Sequence, residues 1–275
     1  MDLPFLSNNV ALIGTQAALV ALPAAGIPRW AERFQGRGWA LVLPLSIAVV
    51  VVAIAAFPGT AVGLSWLALL AIPPLAAAAL GWAMRGARPW AALLAVPLLV
   101  VGWSTQHSAV GDVALTLLSA LSCVTLGRLL AGLVPLLWLE AGIVAMAVVD
   151  AVLVFGNQLQ GPNAVLNTAV PAVGLPQLQY LSLPYASLGY GDVFVAGVLG
   201  GVLAARGTRQ GPVALLVLGL SLAWDLMFYV VDTIPATVPI AVALLIVRLR
   251  LRRDPAAHRP RPRPRRRPSP GSASG

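Results

Sequence analysis

The sequence predicts an all-α, polytopic membrane protein with about nine transmembrane helices. Of its 275 residues, 59% are hydrophobic and only 10% are charged, and the mean hydropathy is +0.87. A soluble domain typically has about a quarter of its residues charged. The apolar residues also form runs, such as the uncharged residues 40–57, and each run approaches the roughly 20 residues needed to cross a bilayer. A water-soluble fold is therefore excluded.

The apolar runs and the arginine-containing loops together define the predicted spans and their orientation. The spans are predicted at 9–27, 39–57, 62–84, 90–105, 109–127, 133–155, 186–206, 211–231 and 234–250. Arg residues follow the first, third, fifth, seventh and ninth spans, whereas the loops after the second, fourth, sixth and eighth spans contain none. Because basic loops stay in the cytoplasm, we expect the N-terminus outside and the C-terminus in the cytoplasm. All basic residues are Arg, which indicates a GC-rich coding genome and favours a bacterial plasma membrane.

Two segments do not have the composition of a span. Residues 252–275 are rich in Pro, Arg and Ser, which predicts a disordered tail. Beside a membrane span, such a basic tail favours contact with anionic lipid headgroups over nucleic acid. The uncharged segment 156–185 is rich in Asn, Gln and Pro. We expect it to be partly embedded in the membrane on the outer side.

The cysteine and histidine content makes metal chemistry improbable. Cys123 is the only cysteine, and the two histidines, His107 and His258, lie in a loop and in the tail. One cysteine cannot form a disulfide framework or a cysteine-based metal site within a chain. We therefore expect no metal and no cofactor.

Four of the nine acidic residues fall inside predicted spans, namely Glu140, Asp150, Asp192 and Asp225. Ionisable groups in a bilayer are costly and mark either function or an internal pair. Asp150 lies about five residues from the outer end of its span, and Asp192 lies about six residues into the next one, so both are roughly 8 Å deep. The span of Asp150 exits on the side where the span of Asp192 enters, which places the two carboxylates level with each other.

Two level carboxylates indicate acid–base chemistry on a water molecule. In a low-dielectric site the pair shares one proton and can hold and activate a water. One carboxylate takes a proton from the water as it attacks a peptide carbonyl, and the other donates to the forming oxyanion and leaving group. This is the requirement of aspartyl protease chemistry. Asp225 has the same predicted depth and is the alternative partner, whereas Glu140 is expected to pair with Arg128.

Two short motifs accompany these acids. Gly189, Tyr190, Gly191 and Asp192 form a GxGD sequence at the start of a span, and glycine there lets another backbone approach the carboxylate. Pro235-Ala236-Thr237 begins the last span on the same predicted side. Proline suits the first turn of a helix and leaves neighbouring backbone groups available to a substrate.

These features, in this order, resemble the presenilin and signal peptide peptidase family of intramembrane aspartyl proteases. That family has an Asp near the end of its sixth span, GxGD early in its seventh and a Pro-Ala-Leu motif at its ninth. The stretch LGYGDVFVAG at 188–197 is similar to the signal peptide peptidase version, as is the inferred orientation. Val149 and Thr237 depart from the family's usual Tyr and Leu.

The resemblance covers roughly residues 130–250 and implies a presenilin-like bundle. It implies scaffold helices in 1–131 and catalytic helices in 132–251, ahead of the basic cytoplasmic tail that the composition predicts in 252–275. It further implies a catalytic pair, Asp150 and Asp192, and substrate-binding positions at Gly189, Tyr190, Gly191, Pro235, Ala236 and Thr237.

The implied activity is that of an intramembrane aspartic endopeptidase acting on transmembrane substrates such as signal-peptide remnants or type II spans. One alternative is a prepilin-peptidase-like GxGD protease. Those enzymes usually have Lys where this chain has Phe194 and lack the later Pro-Ala motif. Another alternative is a non-enzymatic transporter with membrane-embedded acids. Such a protein is expected to contain inverted repeats, which the sequence does not show.

Overall fold

A computed structural model describes residues 3–29, 31–57, 59–106, 108–231 and 233–253, with side chains from residue 7 onward. About 76% of these residues are helical. The α-helices of the described chain are α1 (Leu3–Ala21), α2 (Val42–Ala56), α3 (Thr60–Ala78), α4 (Ala95–Ser104), α5 (Ala109–Leu133), α6 (Leu136–Phe155), α7 (Gln160–Thr168), α8 (Tyr190–Ala205), α9 (Gln210–Trp224) and α10 (Val238–Arg253). Shorter 3₁₀ or π segments cover Ala31–Phe34, Arg37–Leu41, Ala79–Ala83, Pro89–Leu94 and Asp225–Tyr229.

Every predicted span overlaps a helix, but the predicted number of nine spans is not confirmed. In the described part of the chain, five segments are long and apolar enough to cross a membrane: Arg37–Ala56, Thr60–Ala83, Ala109–Leu133, Leu136–Phe155 and Gln210–Tyr229. Pro89–Ser104 and Tyr190–Ala205 are apolar but shorter. A membrane-embedded helical protein is therefore supported, with fewer full-length spans than the hydropathy pattern predicts.

The all-α expectation is wrong at one place, where the chain forms an antiparallel hairpin. Strands β1 (Tyr180–Leu183) and β2 (Ala186–Gly189) pair from Tyr180 opposite Gly189 to Leu183 opposite Ala186. The predicted span at 186–206 thus begins late, because its first four residues are extended and satisfy their backbone groups by pairing with β1. The segment 156–185 contains α7 and β1. We call the end of the bundle where α6 ends and α8 begins the hairpin end.

Helix α8 is the central helix, buried continuously from Val193 to Ala204. Its glycines allow this burial, because a Cβ atom on Gly197 would collide with the carbonyl oxygen of Cys123 on α5, and one on Gly201 with that of Gly127. Small residues at this spacing let two membrane helices approach backbone to backbone. The contact between α5 and α8 therefore fixes the position of the helix that carries Asp192.

An ion-pair cluster joins three helices at the opposite end of the bundle. The Glu140 carboxylate on α6 lies 2.6 Å from Nη2 of Arg206 and 2.7 Å from Nε of Arg248, and the Glu140 side chain is 3% exposed. The predicted pairing of Glu140 with Arg128 is wrong. Arg128 instead donates to the carbonyl oxygens of Gly26 and Trp82, because helix α5 places it near those chain turns while α8 and α10 end beside Glu140.

The predicted tail boundary also changes slightly. Helix α10 continues to Arg253, so residues 252 and 253 are helical rather than disordered. Residues 254–275, with His258, and also His107 lie outside the described residues.

Candidate functional site

Asp150 lies on α6, five residues before the last residue of that helix. It is 3% exposed. Its Oδ2 atom accepts a hydrogen bond from the Thr237 hydroxyl at 2.6 Å and is 3.4 Å from the backbone nitrogen of the same residue. A buried carboxylate requires such partners, since an unpaired one is strongly disfavoured away from water.

Asp192 is the third residue of α8 and lies in the first turn of that helix. The preceding Gly189 is extended and caps the helix, and its backbone N–H donates to the Asp192 carboxylate. A Cβ atom on Gly189 would lie only 3.0 Å from Asp192 Oδ2. Glycine at this position therefore leaves the carboxylate open to close approach. At Gly191 a Cβ would make an ordinary contact of 3.6 Å with Met146.

The structure brings Asp150 and Asp192 together. The two carboxylates interact electrostatically, and both line one cavity of about 760 Å³. The cavity is lined by residues of α1, α2, α3, α6, α7, the start of α8 and the end of α9, and its walls are mainly apolar. None of the described lining residues is Arg, Lys or His. Two acids from separate helices thus share a low-dielectric space with no basic side chain.

The Pro235-Ala236-Thr237 motif lies at this site but not inside a helix. Helix α10 begins at Val238, so the prediction that these residues open the last helix is wrong by one turn. Pro235 is buried, and its carbonyl oxygen accepts the indole N–H of Trp224 at 3.1 Å. Ala236 lines the cavity, whereas Thr237 is fully buried behind it. Only part of the motif is accessible from the cavity.

Gln16 of α1 is a site residue that the sequence analysis missed. Its side-chain amide lies 3.3 Å from the carbonyl oxygens of both Asp192 and Ala236 and donates to them. Its own oxygen lies 3.5 Å from the Ser221 hydroxyl of α9. Gln16 is 2% exposed and lines the cavity. An amide in the middle of an apolar span is the signal that could have found it, because buried amides require partners.

Two further polar side chains complete the surroundings of the pair. The Tyr190 hydroxyl lies 2.7 Å from the Ser122 hydroxyl and ties the start of α8 to α5. Asp225, the predicted substitute partner, lines the same cavity and accepts a hydrogen bond from the Asn9 amide. The carboxylate that acts electrostatically on Asp192 is that of Asp150. Among the described residues, no group of three or more His, Cys, Asp or Glu side chains could hold a metal.

The arrangement places two carboxyl groups from different helices at one mainly apolar cavity, where they could act on a bound water. No protein-family model, curated protein or solved structure matches the chain.

Proposed function

We propose that this protein is an intramembrane aspartyl protease that hydrolyses peptide bonds within transmembrane segments. The observation that carries the proposal is the meeting of Asp150 and Asp192, from two different helices, in one mainly apolar cavity. Two carboxyl groups in such a site share a proton and supply both a base and an acid. The resemblance of the GxGD and Pro-Ala-Thr motifs to the presenilin and signal peptide peptidase family supports the same activity.

The reaction requires only these two groups and one water. The oxygen of the water bonds to the peptide carbonyl carbon while one carboxylate takes a proton from that water. The other carboxyl group donates its proton to the carbonyl oxygen. When the resulting diol collapses, the C–N bond breaks and the first carboxyl group protonates the leaving nitrogen. One hydroxyl group of the diol returns a proton to the second carboxyl group. Both carboxyl groups then regain their starting state.

Substrates must unwind before they react, because the carbonyl of a helical peptide bond is already hydrogen-bonded within its turn. Unwound backbone in lipid needs new partners. Strand β2 is suited to supply them, since it pairs with β1 on one edge, leads directly to Asp192 and has Ser187, Leu188 and Gly189 at the cavity. An opened segment would pair with the second edge of β2. The Ala236 carbonyl is already engaged by Gln16 and contributes less.

The apolar cavity walls favour a membrane-spanning substrate over a soluble peptide. Helices α2 and α3 contribute a column of aliphatic side chains from Ile54 and Leu64 down to Leu75. Signal-peptide remnants and type II spans present such apolar surfaces. With the pair near the hairpin end, cleavage falls in the half of the substrate that lies nearest to the hairpin, which the loop arginines assign to the outer leaflet.

A set of single-span peptides tests this function. Helix-breaking residues are moved stepwise across the span, each peptide is reconstituted with the protein in liposomes, and products are mapped by mass spectrometry. We expect cleavage in the hairpin-end half, with rates that rise when the breaker lies there. Wild-type protein that cleaves no span, or that cleaves regardless of helix stability, would contradict the proposal.

One feature favours a second candidate, a proton-coupled carrier. Asp225 adds a third acid to the cavity beside the polar Asn9, and acids along a pathway are typical of proton relays in transporters. The same liposomes separate the two functions. A carrier would move protons across the membrane without producing peptide fragments.

A further inference from the structure

Thr237 contacts Asp150 directly and does so from behind the cavity. Its hydroxyl donates to Asp150 Oδ2 at 2.6 Å, and its backbone nitrogen lies 3.4 Å from the same atom. Thr237 has no exposed surface, and the cavity is lined by Ala236 and Pro239 on either side of it. A side chain in that place cannot touch a substrate. The resemblance implied a substrate-binding role for Thr237, which this geometry does not favour.

We infer that Thr237 is a positioning residue that orients Asp150 and favours its ionised form, so that Asp150 takes the proton from water and Asp192 serves as the acid. This inference rests on the proposed protease function. It concerns a position where the chain departs from the Leu of the family it resembles, so that family offers no precedent for it.

The hydrogen-bond pattern supports this division of roles. Both donors of Thr237 converge on Oδ2, which leaves Oδ1 of Asp150 for the water. Hydrogen bonds to an ionised acceptor are about twice as strong as neutral ones, so a hydroxyl donor at 2.6 Å favours the carboxylate over the acid. Asp192 has two opposing influences. It accepts a hydrogen bond from the Gly189 backbone N–H, and it lies in the first turn of α8, where the helix dipole favours negative charge. Asp150 in turn has two donors from Thr237, one of them a hydroxyl at 2.6 Å. A short charged hydrogen bond is usually the larger effect.

The other ionisable groups near Asp150 are few. Asp192 on α8 interacts with it electrostatically, and Asp225, Tyr180 and Tyr190 line the same cavity. The described side chains of α1 and α2 include no ionisable group. Glu140 and Arg248 lie about ten residues along α6 and α10, roughly 15 Å away, and pair with each other. The side-chain hydroxyl of Thr237, which donates to Asp150, therefore distinguishes Asp150 from Asp192, whose donor is a backbone N–H.

The reaction then has assigned roles that conserve every proton. The Asp150 carboxylate takes a proton from water as the oxygen bonds to the carbonyl carbon, and protonated Asp192 donates to the carbonyl oxygen. As the C–N bond breaks, Asp150 passes its proton to the leaving nitrogen. The diol returns a proton to Asp192, and the peptide plus one water becomes an acid and an amine.

The pH profile of kcat/KM for three proteins tests the assignment. Thr237→Val keeps the shape but removes the hydroxyl donor, whereas Thr237→Ser keeps the donor and is the matched control. The acidic limb reports the group that must be ionised. Without the donor, Asp150 needs a higher pH to ionise, so we expect Thr237→Val to move the acidic limb up by about one pH unit. We expect a kcat about ten-fold lower with little change in KM, and recovery in Thr237→Ser. Movement of the basic limb instead, or an unchanged profile, would overturn the inference.

Infrared spectroscopy gives a readout that needs no cleavage. At acidic pH, where both carboxyl groups are protonated, the carbonyl band of a carboxylic acid that is lost in Asp150→Asn and kept in Asp192→Asn belongs to Asp150. In wild-type protein we expect this band to be absent at neutral pH and to grow on acidification, at a higher pH in Thr237→Val. A band already present at neutral pH would overturn the inference, even if Thr237→Val failed to fold. If wild-type protein cleaved no substrate, the protease proposal would fail, and the infrared titration would still decide whether Thr237 keeps Asp150 ionised.

Discussion

The side-chain amide of Gln16 donates to the carbonyl oxygen of Asp192 at 3.3 Å, so helix α1 is joined to the residue that we propose as catalytic. The same amide holds Ala236. A helix predicted to be scaffold thus supports both the GxGD turn and the Pro-Ala-Thr segment.

Replacing this amide should impair both function and folding. Gln16→Leu keeps the bulk but leaves two buried carbonyl groups without their donor, which costs about 1–3 kcal/mol of stability. We expect a lower thermal unfolding midpoint in detergent and a cleavage rate reduced at least about ten-fold. The neighbouring Thr15, whose hydroxyl bonds within its own helix, provides the control Thr15→Val, which should behave as wild type. Equal behaviour of the two variants would refute a role for Gln16.

The close contact of α5 with α8 predicts a sharp difference between glycines. Gly197→Ala places a methyl group against the carbonyl of Cys123, where there is no room, and should cost about 1–3 kcal/mol. Gly219→Ala on α9 meets nothing within 4 Å and should be neutral or slightly stabilising. Thermal unfolding in one detergent compares them. A Gly197→Ala protein as stable as Gly219→Ala would show that α8 is not packed as described.

The ion-pair cluster predicts that Glu140 contributes to stability. Glu140→Gln removes the negative charge shared by Arg206 and Arg248. Both Arg side chains are partly exposed, at 24% and 30%, so water reduces the cost to about 1–2 kcal/mol. Glu32→Gln changes an exposed acid and should shift the unfolding midpoint negligibly. A neutral Glu140→Gln would mean that the cluster adds no net stability.

Cysteine labelling tests the proposed orientation. Cys123 is buried and should not react, so single introduced cysteines report their own side of the membrane. Arg33→Cys and Arg209→Cys, at exposed positions, should resist a membrane-impermeant thiol reagent added outside. Tyr185→Cys in the hairpin turn, where the native side chain is 63% exposed, should react. Labelling of Arg33→Cys and Arg209→Cys from outside, without labelling of Tyr185→Cys, would show the opposite orientation.

Hydropathy and charge could predict the two site acids, because burial of an acid in a membrane is costly wherever it occurs. That cost marks Asp150 and Asp192 as candidate site residues, and the structure places both at one cavity. Depth along a span does not specify a rotational position, however. Depth alone pairs Glu140 with Arg128, whereas the packing of α6 between α8 and α10 brings Arg206 and Arg248 to it.

The sequence did not predict the hairpin, because its composition is also that of a membrane helix. Its strands are short and apolar, and Leu181 is fully buried, so their composition does not distinguish them from the start of a membrane helix. The alternation of Leu with Ser around Pro184 is consistent with a turn between strands, but a four-residue pattern also fits a helix. Tertiary pairing decides between them, and sequence alone does not contain it.

Cleavage by wild-type protein, Asp150→Asn and Asp192→Asn tests the central claim most directly. Each variant keeps the shape of the side chain and removes one titrating group, and Glu32→Gln serves as the matched acid-to-amide control at a distant exposed position. Reconstituted in liposomes with one transmembrane substrate, wild type and Glu32→Gln should yield fragments at equal rates. Asp150→Asn and Asp192→Asn should fold and yield none, since loss of either acid–base partner removes at least about 10²-fold in rate. Full activity in either Asp variant, with the wild type active, would contradict catalysis by the Asp150–Asp192 pair.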